Sequence, residues 1–130
     1  MAAAAAALVL GCGTGCASLA ERRSGARAAA VDFERALRAG DGTALCAALA
    51  PRTREEVAPP MGAGCPETVL TEDLPPADRV RRVDVYGRQA RVVLTGDTLF
   101  LARFSSAWKV VAAGCTRSSD QPYRCTVRGG

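Results

Sequence analysis

The feature that most limits what this chain can fold into is a two-residue periodicity running from residue 82 to residue 115. Apolar and polar residues alternate through 83–85, 90–94, 98–104 and 108–111, and turn-forming pairs separate these segments at Gly87-Arg88, Gly96-Asp97 and Ser105-Ser106. Alternation at period two, punctuated by turn residues, predicts antiparallel strands joined as hairpins. A turn at Gly87-Arg88 sets Val83 against Val92, Val85 against Ala90 and Asp84 against Arg91. Apolar then meets apolar on one face and opposite charges meet on the other, which is what a correct register requires. A turn at Gly96-Asp97 sets Leu94 against Leu99 and Val92 against Leu101, and one at Ser105-Ser106 sets Leu101 against Val110 and Arg103 against Trp108. On this reading Ala112 joins Val110 and Trp108 on the apolar face. The opposite face is mixed, with Val93, Phe100, Phe104 and Val111 among Asp84, Arg91 and Lys109.

A polar loop at 116–122 follows, and then a last strand over 123–128, so that Cys115 and Cys125 stand at the two ends of one connection. Upstream the pattern is helical. Residues 28–39 carry Phe33 and Leu37 at i and i+4, Glu34 and Arg38 at the same spacing on the exposed side, and Gly40 as a stop. Leu45 and Leu49 mark a second, short helix ended by Pro51. Thr53 and Glu56 have capping-box spacing for a third, closed by Pro59-Pro60. Residues 61–78 read as a loop with room for a short strand at 68–70. The fold class is therefore α+β: two to three N-terminal helices on one face of a curved antiparallel sheet of about five strands. The single domain covers residues 28–128.

The chain has six Cys and no His. Without His, no Ser-His or Cys-His catalytic pair can be built, nor a His-containing zinc site. Setting aside Cys12 and Cys16, the four remaining Cys allow three pairings. Cys115–Cys125 joins the ends of a hairpin, which leaves Cys46–Cys65 to tie the second helix to the proline-containing loop. A four-Cys metal site normally shows close C-x₂₋₄-C pairs, and these four have none. No metal and no cofactor is expected. Net charge is +4, but the basic residues, all Arg except Lys109, are scattered. No basic stripe interleaved with aromatics points to nucleic acid.

Residues 1–20 form an apolar leader with no charge before Glu21. The run is long enough for the hydrophobic part of a signal peptide and short for a membrane span. Residues 21–27 read as a tether. The leader itself admits three fates: cleavage after Ala20 to a soluble secreted domain, retention as a weak anchor, and an Ala-rich tail.

Val9-Leu10-Gly11-Cys12 resembles the lipobox of bacterial lipoproteins, in which the Cys is acylated and becomes the mature N-terminus. The Ala-Leu-Arg-Ala-Gly-Asp run at 36–41 and the Trp-Lys-Val strand at 108–110 resemble the nuclear-transport-factor-2-like cone fold. More narrowly, the chain is similar to small exported lipoproteins of actinobacteria built on that fold. The resemblance implies a domain anchored on the outer face of the cell membrane through the acyl chain on Cys12, with secretion as the alternative. It implies no single activity, since such folds host isomerases, cyclases, ligand binders and structural domains.

Asp84, Tyr86, Asp97 and Arg103 are the sheet-borne groups available for acid–base chemistry. Each also has a structural reading: a pair with Arg91, a strand end, a turn, and a cation–π contact over Trp108. Phe33, Leu37, Phe104 and Trp108 are available to line a cavity or to fill the core. The expectation is a non-catalytic binding or interaction module rather than an enzyme. Its candidate interface is Val93, Phe100, Phe104 and Val111, because monomers seldom leave such a patch bare. The partner would be a second copy or another envelope protein. The alternative is a small cone-fold enzyme of isomerase or cyclase type, with a carboxylate in an apolar pocket.

Overall fold

The computed structural model describes residues 17–58 and 60–129. Four helices, α1 (Leu19–Ala39), α2 (Gly42–Ala48), α3 (Pro51–Val57) and α4 (Cys65–Val69), precede five strands. The strands are β1 (Val80–Tyr86), β2 (Gln89–Leu94), β3 (Thr98–Phe104), β4 (Ala107–Ser118) and β5 (Gln121–Arg128). They form one antiparallel sheet in chain order, β1-β2-β3-β4-β5. The chain is thus α+β, with its N-terminal helix laid on one face of a five-stranded meander.

Helix α1 begins well before residue 28. Ser18 caps it by accepting from the Glu21 amide at 3.1 Å, while the Ser18 amide donates to Glu21 Oε2 at 2.9 Å. This reciprocal capping box satisfies two of the amides a helix start leaves open. Residues 21–27, read from sequence as a tether, are therefore the opening turns of α1. Ala26, Ala30 and Phe33 are fully buried along it. The signals were present as Ser18-x-x-Glu21 and a stripe of alanines, but alanine spacing carries little hydrophobic contrast. Residues 1–16 of the leader, with Cys12 and Cys16, lie outside the described residues, whereas its last residues, Ser18 to Ala20, cap and open α1.

The β1–β2 register is the expected one, with Val83 opposite Val92, Asp84 opposite Arg91 and Val85 opposite Ala90. The next hairpin differs. Val92 pairs with Leu99, and the Leu94 amide donates to the Asp97 carbonyl at 2.8 Å, so the turn is Thr95-Gly96. Moving the turn back one residue shifts the pairing by two, which keeps every side chain on its expected face. In β3–β4, Leu101 meets Val110 and Arg103 meets Trp108 as predicted, but Phe100 meets Ala112. Val111 is an extra residue in β4, a bulge that the alternation does not reveal. Beyond it the faces exchange: Ala113, not Ala112, enters the core beside Val127.

The bulge is also where the helical layer joins the sheet. Leu49 forms a parallel bridge with Val110, and the Ala50 amide donates to the Val110 carbonyl at 2.8 Å. Thr53 does not cap α3, which starts on Pro51. Its hydroxyl donates instead to the Val111 carbonyl at 2.9 Å. Residues 65–69 are helical rather than a strand, because Cys65 and Pro66 open α4 against α2.

Both disulfides pair as predicted. Cys46–Cys65 joins α2 to α4, and Cys115–Cys125 joins directly opposed residues of β4 and β5. Closing loops of 19 and 10 residues contributes about 3 kcal/mol each on the chain-entropy model. The first bond needs close helix packing, and Gly42 provides it: a Cβ there would collide with the Pro66 carbonyl. Gly42→Ala is expected to lower stability by about 1–3 kcal/mol, read as the shift of the urea midpoint under non-reducing conditions.

Candidate functional site

Two places concentrate chemistry: the sheet face turned away from α1, and a pair of carboxylates inside the core. On the outer face, Asp84 accepts from Arg91 at 2.7 Å and from Arg82 at 2.9 Å. These hydrogen bonds, Arg91's foremost, hold the Asp84 carboxyl below its usual range and push the Arg91 guanidinium up. Arg91 also reaches the Tyr123 hydroxyl at 3.4 Å. The Tyr123 ring meets Phe100 edge-on at 4.9 Å, and Arg117 lies 5.9 Å from its centroid. Asp84 is thereby committed to an ion pair, and β5 partly covers one end of the apolar patch.

The other end stays open. Phe104 is 42 % exposed, and Val111 is half-buried. A shallow depression of about 130 Å³ lies between Phe100, Ala102 and Val111. A second, of about 170 Å³, lies between Phe104, Val111 and the start of α3 at Ala50, Pro51 and Arg52. Val111 is common to both, because the bulge lifts it out of the flat strand. Of the four residues proposed from sequence, Phe100, Phe104 and Val111 come together here, and Val93 lines neither depression.

Inside the core, Glu34 is only 1 % exposed. Its i, i+4 spacing from Arg38 predicts a solvent-side pair, which does not form. Instead Arg38 donates to the Ala77 carbonyl at 2.8 Å, and Glu34 Oε2 accepts from the Ala77 amide at 3.3 Å. Glu34 Oε1 has no protein partner among the described residues. The clue was its position four residues after Ala30, on the buried stripe. Burial pushes the Glu34 carboxyl up to about 7; the Ala77 amide opposes this, nearby Asp97 adds to it, and Arg38 opposes it. Asp97 is no simple turn residue. Its carboxylate accepts from the amides of Thr98 at 2.7 Å and of Gly114 and Cys115 at 2.9 Å. Burial raises its pKa against those three bonds.

A carboxyl poised near neutrality suits a general acid or base only where substrate can reach it. Glu34 lines neither depression on the outer face, nor the open one of about 290 Å³ between α1 and α2. Tyr86 projects at a hairpin tip, 67 % exposed. Arg103 makes no cation–π contact with Trp108, whose ring packs instead where a Cβ on Gly25 of α1 would stand. Among the described residues no group of three or more Cys, Asp or Glu is placed to hold a metal ion. No described helix is long and apolar enough to cross a membrane.

No family model, curated protein or solved structure matches this chain.

The Glu34 environment predicts a stability profile. Its folded-state pKa of about 7 stands above the ordinary 4.5, so the folded protein binds this proton more tightly than the unfolded chain. Stability from this group is full at low pH and is lost as pH rises through that interval. Asp97 acts in the same sense, whereas Asp84, with a lowered pKa, costs stability only on the acid side. Urea unfolding should show a loss on the order of 2–3 kcal/mol from Glu34 between about pH 5 and pH 8. Glu34→Gln should flatten that slope and stabilise the domain at the upper end. An unchanged slope would assign the proton elsewhere.

Proposed function

We propose that the chain is an extracytoplasmic lipoprotein, anchored by an acyl chain on Cys12, whose cone-like domain is a non-catalytic binding module. The observation that carries the binding role is the outer sheet face. Two apolar depressions meet at Val111 beside the exposed Phe104, on the side of the sheet that α1 leaves uncovered. The interior is occupied by the protein's own side chains, Phe33, Leu45, Leu49, Leu99 and Leu101 among the fully buried ones. Rings and aliphatic groups around a shallow concavity, with Arg52 and Gln89 at its margin, suit a protein surface better than a small polar substrate. The partner is a second copy of this chain or another envelope protein.

Two features support export and anchoring. A pair of disulfides suits an oxidising compartment. Cleavage after Ala20 would remove the Ser18 cap and the first residues of α1, at a cost of about 1 kcal/mol for the cap alone. Processing before Cys12 leaves the helix start whole. The raised pKa of Glu34 favours a second reading, a cone-fold enzyme, which would require an opening that reaches Oε1.

Two experiments test the proposal. Intact-mass analysis of the membrane fraction should give an N-terminal Cys12 bearing a diacylglyceryl group, released by Cys12→Ser; a mature chain beginning at Glu21 in the medium would defeat the anchor. Phe104→Asp should abolish association while moving the unfolding midpoint by no more than about 0.5 kcal/mol, as for other exposed positions. A native domain that stays monomeric and unbound at high concentration, paired with a mutant that fails to fold, would make the patch internal.

A further inference from the structure

The end of the molecule from which the leader departs has its own surface chemistry. Helix α1 starts there, and Arg22 in its first turns donates to the Gly87 carbonyl at 3.1 Å, so the helix start lies against the β1–β2 turn. That turn is joined in the sheet to the β3–β4 end: the Arg103 amide donates to the Arg88 carbonyl at 2.8 Å, and Arg88 Nη2 donates to the Arg103 carbonyl. Three of the large apolar side chains left exposed in this structure, Leu19 at 45 %, Tyr86 at 67 % and Phe104 at 42 %, therefore gather at one end. The exposed cations Arg23 and Arg88 stand among them, with Arg22 and Arg103 half-buried beside them. The carboxylate of Glu21 is turned to the Ser18 amide, and that of Asp84 is taken up by Arg82 and Arg91.

We infer that this end docks on the surface of an anionic lipid bilayer, Tyr86 and Leu19 entering the interface while the arginines meet the headgroups. Rings and aliphatic side chains at interface depth beside basic residues are the pattern of a peripheral membrane contact. Charge complementarity selects the occupant, since anionic leaflets attract each such cation by roughly 1 kcal/mol, about fivefold in partitioning. Chain length agrees. Residues 13–17 alone separate Cys12 from Ser18, six steps with a reach of at most about 22 Å, so an acyl chain on Cys12 would hold this end within contact distance of the bilayer. The inference rests on the proposed anchoring and extends it from a tether to an orientation. With this end down, the depression beside Phe104 opens sideways, close to the membrane surface.

Tyr86→Trp in the full chain provides the test, because the only native Trp, Trp108, is buried in the domain. The chain is produced in a host that processes lipoproteins and placed in vesicles containing brominated lipid. In vesicles rich in phosphatidylglycerol, quenching should exceed that of the parent chain at least about threefold, and Arg23→Gln with Arg88→Gln should return it most of the way to the parent value. A chain that floats with the vesicles but shows no added quenching keeps the anchor and overturns the docking. Equal quenching in phosphatidylcholine removes the role of the arginines and overturns it too. So does a photo-crosslinker at position 86 that captures an acidic envelope protein in the absence of quenching. An unacylated chain that ignores phosphatidylcholine but is quenched in anionic vesicles would remove the anchor and uphold the docking.

Discussion

The two consecutive carbonyls of Val110 and Val111 hold this fold together. The first accepts from the Ala50 amide, and the second accepts from the Thr53 hydroxyl and the Gly129 amide. One bulged position of β4 thus receives the α2–α3 connection and the end of the chain. A regular strand would turn Val111 and Ala112 to opposite faces. The bulge lets Phe100 pair with Ala112, sends Ala113 into the core and leaves Val111 standing out between two depressions. The same backbone irregularity that docks the helices therefore shapes the outer face. Bulges commonly re-aim side chains near functional surfaces, and here the re-aimed residue is apolar.

Asp97 performs a comparable task with a charge. Three amides converge on its carboxylate, two of them from Gly114 and Cys115 of β4, so the residue that leads into β3 is fastened to the neighbouring strand beyond the end of their ladder. Hydrogen bonds to an ionised group are about twice as strong as neutral ones, so these three amides oppose the upward push that burial gives the Asp97 carboxyl. Glu34 has one such bond, at 3.3 Å, and a neighbouring carboxylate. The contrast explains the two roles. Asp97 fastens β3 to β4 through three amides, and Glu34, with a single amide bond, is the carboxyl that burial pushes up to about 7.

Much of the sheet was legible because its information is local. Alternation and turn residues determine which side chains share a face, so the β1–β2 register, the β3–β4 register as far as Leu101 and both disulfides followed from sequence. The Thr95-Gly96 turn was missed because Asp97 is a common turn residue, and its real partners are seventeen or more positions away at Gly114 and Cys115. The start of α1 was missed because Ala26 and Ala30 look no more buried in sequence than the alanines beside them. The sites divide in the same way. Phe100, Phe104 and Val111 fall on one face by period two, while the two depressions around Val111 depend on the bulge. Glu34 was hidden because a glutamate beside an arginine at helical spacing looks solvated, and only the course of residues 74–78 over the helix shows otherwise.

The use of small residues explains how so few aromatics suffice. Gly25 in the middle of α1 costs about 1 kcal/mol of helix propensity relative to Ala. A Cβ at that position would stand 2.9 Å from the Trp108 ring, so the cost is the condition for bringing the helix onto the sheet's one Trp. Ala26, Ala30 and Ala113 extend the close approach, giving a thin core with little apolar volume per residue. A thin core of this size is marginal by burial alone. The burden passes to covalent and polar ties: the two disulfides, the carbonyls of Val110 and Val111, and the Asp97 amide cluster. Phe100 and Phe104, two of the chain's three Phe, are then free of core duty, and only Phe33 is fully buried. On the uncovered face Phe100 packs edge-on against Tyr123 of β5 and Phe104 stays 42 % exposed, so neither ring is held by the helical layer that buries Phe33 and Trp108.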